Sequence, residues 1–191
     1  MSIKVITGPA EEPITLADAK LHLRIDGAAE DAYVTSLLKA ARQTVEIETS
    51  RVLVSQTLVQ TFDGYTPGKP LTLLRAPVAS IVSVQHVGGD GATVTLDAER
   101  YLAALGEPAL LHPAYGVSWP IARGQPGAVS VTYVAGYGNA AAVPELAKAA
   151  IRLLLGHWYE NREAVIVGTI ASELPRGASS IIGLLKWGLY L

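Results

Sequence analysis

Residues 132–151, TYVAGYGNAAAVPELAKAAI, pass from one pattern to another, and that passage decides the fold. They begin in an alternating run, with Val129, Val131 and Tyr133 on one side, which predicts a strand half turned to a core. They end in a helical period. Pro144 suits the first helical position, and Glu145 follows in the first turn, where the helix dipole favours a carboxylate. Ala147, Ile151, Leu154, Trp158 and Val165 then form one stripe, with Glu145, Lys148, Arg152, Gly156 and Glu163 opposite. The spacing predicts an amphipathic helix of about five turns. Between strand and helix, Gly136, Gly138 and Ala141 spell G-x-G-x-x-A, the pattern of a dinucleotide-binding loop. In such a loop the helix begins inside the glycine motif and its free N–H groups meet the pyrophosphate. Here the helix starts six residues after Gly138, at a proline with no N–H, and no parallel strand carrying an acid follows. Glycines that allow positive φ in an exit turn are the simpler reading.

Upstream of this junction, residues 52–135 are rich in β-branched residues: VLVSQTLVQTF, LTLL, SIVSVQHV, TVTL, RYLAAL and AVSVTYV. Asp63-Gly64, Pro67-Gly68, GGDG at 88–91 and Pro126-Gly127 separate them, and GGDG reads as a hairpin turn. About six short antiparallel strands follow from these signals. Further upstream the helical period returns. Thr15 is a good N-cap, with Asp18 in the first turn and Leu16, Ala19 and Leu23 on one face, and DGA at 26–28 ends this helix. A longer helix runs from about Glu30 to Ser50 on the stripe Val34, Leu37, Leu38, Ala41 and Val45. The predicted class is therefore α+β. The N- and C-terminal helices, residues 1–51 and 136–191, make a helical body, and residues 52–135 form an inserted antiparallel β unit.

Half the residues are apolar and 17% are charged, too hydrophobic a mix for a disordered chain. A net charge of −2 gives no bulk attraction to nucleic acid or anionic membrane. The chain has no cysteine, which excludes disulfides and thiol catalysis and fits an intracellular origin. The opening MSIKVITGPAEEP lacks a cationic flank and apolar stretch, so no secretory signal is expected. The longest apolar run, IIGLLKWGLYL, is too short to span a bilayer, so no membrane partner is expected.

HWYENRE at 157–163 offers His157, Glu160 and Glu163, residue types that can ligate a metal. On a helix Glu163 points about 120° from His157, so the three do not converge. A solvated helix edge is the simpler reading, with Arg162 placed to stack on Trp158. His22, His86 and His112 are scattered, no G-x-S-x-G elbow exists, and the basic residues near Arg24 and Arg42 are neutralised by Glu30, Asp31, Glu46 and Glu48. No catalytic, cofactor or metal residues are assigned. The competing reading is a small cofactor- or metal-binding enzyme that uses the Gly136–Gly138 loop or the His157/Glu160 helix.

Several segments together are distinctive: EPITLADAKLHLRID (12–26), LRAPVASIVSV (74–84), AYGVSWP (114–120), GAVSVTYVAGYG (127–138) and VPELAKAAIRLLLGHWYENREAV (143–165). In this order, over nearly the whole chain, they resemble the head–tail connector, or adaptor, proteins of tailed phages and gene transfer agents. The resemblance implies a structural protein at the head–tail junction of a virion or gene-transfer particle, made in the bacterial cytoplasm. Family members form a cyclic ring, typically of twelve copies, between a portal protein and a stopper or tail-completion protein. DNA passes through the lumen without sequence-specific binding. The helical body is common to the family, and the β region is an insertion found in a subset. The tail is the expected partner surface. Pro175 and Gly177 uncouple it from the preceding helix, and Ile181, Ile182, Leu184, Leu185, Trp187, Leu189 and Tyr190 leave it apolar nearly all round. Trp158 is expected to anchor the C-terminal helix on the 30–50 helix.

Overall fold

The computed structural model describes residues 1–162 and 175–186. The chain forms two compact units, each made of two stretches: Met1–Pro9 with Ser55–Tyr137, and Ala10–Val54 with Gly138–Leu191. The first nine residues therefore go with the strands and residues 52–54 with the helices.

Four helices build the second unit. α1 (Leu16–Leu23) starts at Thr15, whose Oγ1 accepts the Asp18 N–H at 3.1 Å. It ends at Arg24, held in the left-handed region at φ 57°. Only Ala19 of its stripe is buried, while Leu16 and Leu23 are half-buried. α2 (Asp31–Thr49) buries Val34, Leu38, Ala41 and Val45, with Leu37 at the border. α3 (Glu145–Glu160) packs on α1 and α2 through Ala147, Ala150, Ile151, Leu154 and Leu155. α4 (Arg176–Leu185) packs on α3 and α2 through Ala178, Ile182 and Leu185.

Three local expectations change. Trp158 is half-buried, and the anchoring role falls to Ile151, Leu154 and Leu155, which are fully buried. Gly177 is not a turn: Pro175 precedes the first residue of α4, where its missing N–H costs nothing, and Gly177 lies in the helix beyond it. A Cβ there would meet Leu153 Cδ1 at 3.5 Å, an ordinary van der Waals contact between α4 and α3. Val165 lies outside the described residues.

The β unit is antiparallel throughout. β1 (Ser2–Thr7), β2 (Gln56–Phe62), β8 (Val129–Ala135), β4 (Val78–Val87) and β5 (Thr93–Thr95) form one sheet in the order β1-β2-β8-β4-β5. β3 (Leu71–Leu73), β7 (Ala109–Pro113) and β6 (Tyr101–Ala104) form another, ordered β3-β7-β6. β8 sits between β2 and β4, and its Val129, Val131, Tyr133 and Ala135 are all buried. The GGDG turn joins β4 to β5, with Gly91 at φ 88°. The predicted strand from residue 52 begins at Gln56. Val52, Leu53 and Val54 are instead buried in the helical unit without strand pairing. β1 and β7 were not foreseen.

The fully buried Gln60 of β2 connects the two sheets. Its amide donates to Thr72 O at 2.9 Å and its carbonyl accepts the Leu74 N–H at 3.0 Å. These contacts serve the side of the β3 segment that β7 leaves unpaired, so a polar residue in the core satisfies backbone groups that would otherwise be stranded.

Candidate functional site

At the strand–helix junction, Gly136 and Gly138 adopt φ 125° and 117°, conformations that strongly favour glycine. Three of the donors that such a loop would offer are already taken. Gly136 N–H donates to Pro77 O at 2.9 Å. Farther on, Ala140 N–H meets the Glu11 carboxylate at 2.7 Å, and Ala142 N–H is bound by the Asn139 side chain. α3 begins after Pro144, beyond the motif. The geometry is that of an exit turn capped by the chain's own anion, and a bound phosphate would compete with Glu11 for the same donor.

The other proposed chemical site separates in the same way. His157 and Glu160 lie in the last turn of α3, where Asn161 Nδ2 donates to His157 O at 2.9 Å and Glu160 is exposed. Glu163 lies outside the described residues, and among the described residues no three His, Asp or Glu side chains gather as metal ligands.

Arg162 does not stack on Trp158. Its guanidinium lies 4.8 Å from the centroids of both Tyr33 and Tyr159 and pairs with Glu30 at 2.6 Å. Tyr159 Oη also donates to Glu30. The hydrogen bonds from Tyr159 and Arg162 hold the Glu30 carboxyl below its ordinary range, and the same bond to Glu30 raises the Tyr159 phenol. This cluster fixes the start of α2 to the end of α3.

A second ionic cluster lies deeper. Arg42 donates to Glu12 at 2.7 Å and to Glu46 at 2.6 Å, and Glu46 also accepts the Leu53 N–H at 3.0 Å. Burial raises the Glu46 carboxyl despite the lowering effects of the Leu53 N–H and Arg42. The sequence reading took Arg42 and Glu46 as mutually neutralising surface charges. Their spacing four residues apart in α2 was visible, but nothing local showed that Arg42 falls beside Ala41 and Val45 on the buried side.

The expected partner surface divides. Ile182 and Leu185 face the helical unit's own core, Ile181 is half-buried, and Leu184 is 70% exposed. Trp187, Leu189 and Tyr190 lie outside the described residues. The end of α4 is tied to the end of α2: Arg51 Nε donates to Leu185 O at 2.6 Å, and Lys186 pairs with Glu48 at 3.2 Å. Leu146 and Leu153 are exposed on α3.

In the β unit, residues 114–125 carry the Trp119 ring, which stacks on Tyr65 with centroids 4.8 Å apart. Its Nε1 donates to Lys69 O, and the edge of Tyr65 meets His86. Beside this stack lies a cleft of about 460 Å³, bordered by Pro67, Pro113, Val117 and Ile121. Burial pushes the Tyr65 phenol up to about 12.

Comparison with known proteins points to a particle component. Residues 13–81 match the model of the family described as phage gp6-like head-tail connector protein. The fold is similar to that of a chain in the virion of a native gene transfer agent particle. The TM-score is 0.80 at 25% identity, and the likeness covers 97% of this chain and 95% of that one. It is also similar to chains in the neck of an empty gene transfer agent particle, computed with C6 symmetry, and in the neck of a native particle, computed with C12 symmetry. Each of these has a TM-score of 0.76 and 24% identity, over 97% of this chain and 95% of that one. No curated protein sequence matches. The family model covers residues 13–81, and the likeness in fold extends over almost the whole chain.

Proposed function

We propose that the protein is a structural connector at the head–tail junction of a phage or gene-transfer particle, and that it is not an enzyme. The observation that carries this reading is likeness along almost the whole chain, β unit included, to a chain of a gene-transfer-agent virion, joined to the connector family match. The glycine turn binds the chain's own Glu11, and among the described residues no third ligand joins His157 and Glu160, which weakens the competing enzyme reading.

Copies of the chain form a cyclic ring, because a subunit that meets identical neighbours through two different faces avoids open filaments only by closing. Twelve copies is the stoichiometry proposed. The ring contacts the portal protein on one side and a stopper or tail-completion protein on the other, and DNA passes through it. A formal charge of −2 suits such a passage, since a strongly basic lumen would hold the phosphate backbone.

The surface toward the portal or a neighbouring copy is narrowed to Leu184 and the half-buried Ile181, with Trp187, Leu189 and Tyr190 retained from the sequence. Ile182 and Leu185 are withdrawn because the unit's own core covers them. Electron microscopy of the parent particle tests the role. A ring of this chain between capsid and tail is the expected image, and a single copy, or none at the junction, would refute it. Leu184→Lys tests the surface: it should leave the melting temperature unchanged and lower incorporation into particles. Normal incorporation would remove Leu184 from the contact.

A further inference from the structure

Among the described residues, the five-stranded sheet ends in two open edges, and they differ in kind: β1 pairs only with β2, and β5 pairs only with β4. No residue of β1 is buried, and Val5 and Ile6 are 56% and 62% exposed. At the far edge Val82 of β4 is 58% exposed, and all three residues of β5 are exposed. Soluble proteins blunt open edges because an unpaired row of N–H and C=O groups recruits another strand. The blunting on β1 is slight: one lysine, Lys4, and a bulge between Val5 and Thr7.

We propose that neighbouring copies of this chain join edge to edge, with β1 of one copy lying along β5 of the next. The inference rests on the ring reading above and names the surface that makes the ring. The edges suit one another in three ways. First, they lie at opposite ends of one sheet, so every copy offers both halves of the joint, which is the heterologous contact a closed ring needs. Second, direction fits: each step across the sheet is antiparallel, so the first and fifth strands, β1 and β5, run the same way. Copies related by rotation about an axis roughly along the strands therefore meet as a parallel pair and continue the sheet without reversal. A two-fold would instead set β1 against β1. Third, the side chains match. Val5 faces an edge that carries Val94, and Lys4 comes alongside the end of β5 that leads back to Asp90. A three-residue edge gives few backbone bonds, so a single joint is weak and ring closure, with two joints per copy, makes it persist.

Because the chain contains no cysteine, introduced thiols report this contact alone. Particles are made with a chain carrying both Val5→Cys and Val94→Cys, treated with a short bismaleimide and run on a denaturing gel. A ladder of cross-linked multiples is expected, and neither single variant should give one. Dimers from Val5→Cys alone would overturn the proposal in favour of a two-fold. Many copies per particle without a ladder would overturn it while leaving the connector role intact, and one copy per particle would overturn both. Val94→Lys is the second arm. Its side chain is exposed, so the melting temperature should hold while ring assembly is lost, and unchanged assembly would overturn the proposal.

Discussion

The two units solve the same problem, a polar group in a core, by different chemistry. The helical unit buries ions: Arg42 between Glu12 and Glu46. The β unit buries a neutral amide, Gln60, whose carbonyl oxygen also lies 3.4 Å from the Tyr133 hydroxyl. Ions taken out of water are held only while every partner stays in place, and they titrate. An amide that satisfies two backbone groups is less costly to bury and does not respond to pH. The helical unit should therefore be the one that senses both mutation and acidity.

The sharpest test is Arg42→Ala, which leaves Glu46 buried without its cation. Breaking a buried pair from one side costs about 3–5 kcal/mol. Denaturant unfolding should register that loss, and Arg42→Met combined with Glu46→Leu should recover most of it. Less than about 1 kcal/mol for the single change would mean that water reaches the cluster freely. Gln60→Leu should come next. It strands the Leu74 N–H and the Thr72 C=O, each costing about 1–3 kcal/mol when buried and unpaired. Hydrogen exchange at Leu74 should accelerate in this variant while exchange at Leu53 does not.

Acidity separates the units more gently. Burial raises the folded-state pKa of Glu46, so the folded protein binds that proton more readily than the unfolded chain. Its contribution is fully present below the ordinary carboxylate value and is lost as pH rises through the raised one. Glu30 and Glu145 carry the opposite sign: their lowered values give stability that is present above the ordinary range and lost as pH falls through the folded values. Glu46→Gln should remove the first of these trends. The stability of the variant relative to the parent should climb as pH rises above the ordinary carboxylate range, and a constant difference would sink the assignment. Tyr133, pushed up to about 12 by burial, adds nothing near neutrality. The smallest effect belongs to Arg162→Ala. That cation is half exposed, so its loss should shift melting only slightly, and the shift should shrink further in salt.

The contrast also explains what could be read from residue order. The stripe of α2, the alternation of β8, the GGDG hairpin and the Thr15 cap are local signals, and each appears where the residues place it. β1 was illegible because a strand exposed on both faces has no burial pattern to display, and its partner lies more than fifty residues away. Val52, Leu53 and Val54 read as strand because β-branched apolar residues look alike in a strand and in a buried connection. Gly177 reads as a break because a glycine beside a proline is usually punctuation, whereas here it lies inside α4. Arg162 stacks on Tyr33, a residue far away in sequence that no local spacing could connect to it. The partner surface was least legible of all: composition showed that the tail is apolar, but only the packing of α4 separates Ile182 and Leu185 from Leu184.

The pairing of β1 with β2 has a consequence for synthesis. Ser2 is matched to Thr61 and Val5 to Leu58, with all of α1 and α2 made in between. As the chain leaves the ribosome, its first strand waits through the whole of the first helical stretch before its partner exists. β8, the strand that β2 and β4 both require, comes last of all. Neither unit can close early: the sheet needs residues up to Ala135, and the helices need α3 and α4. Closing such long loops is slow, and the waiting strand is exposed meanwhile. Lys4 and the bulge near Ile6 are slight protection for so long a wait, so misassociation of unfinished chains should begin at this strand.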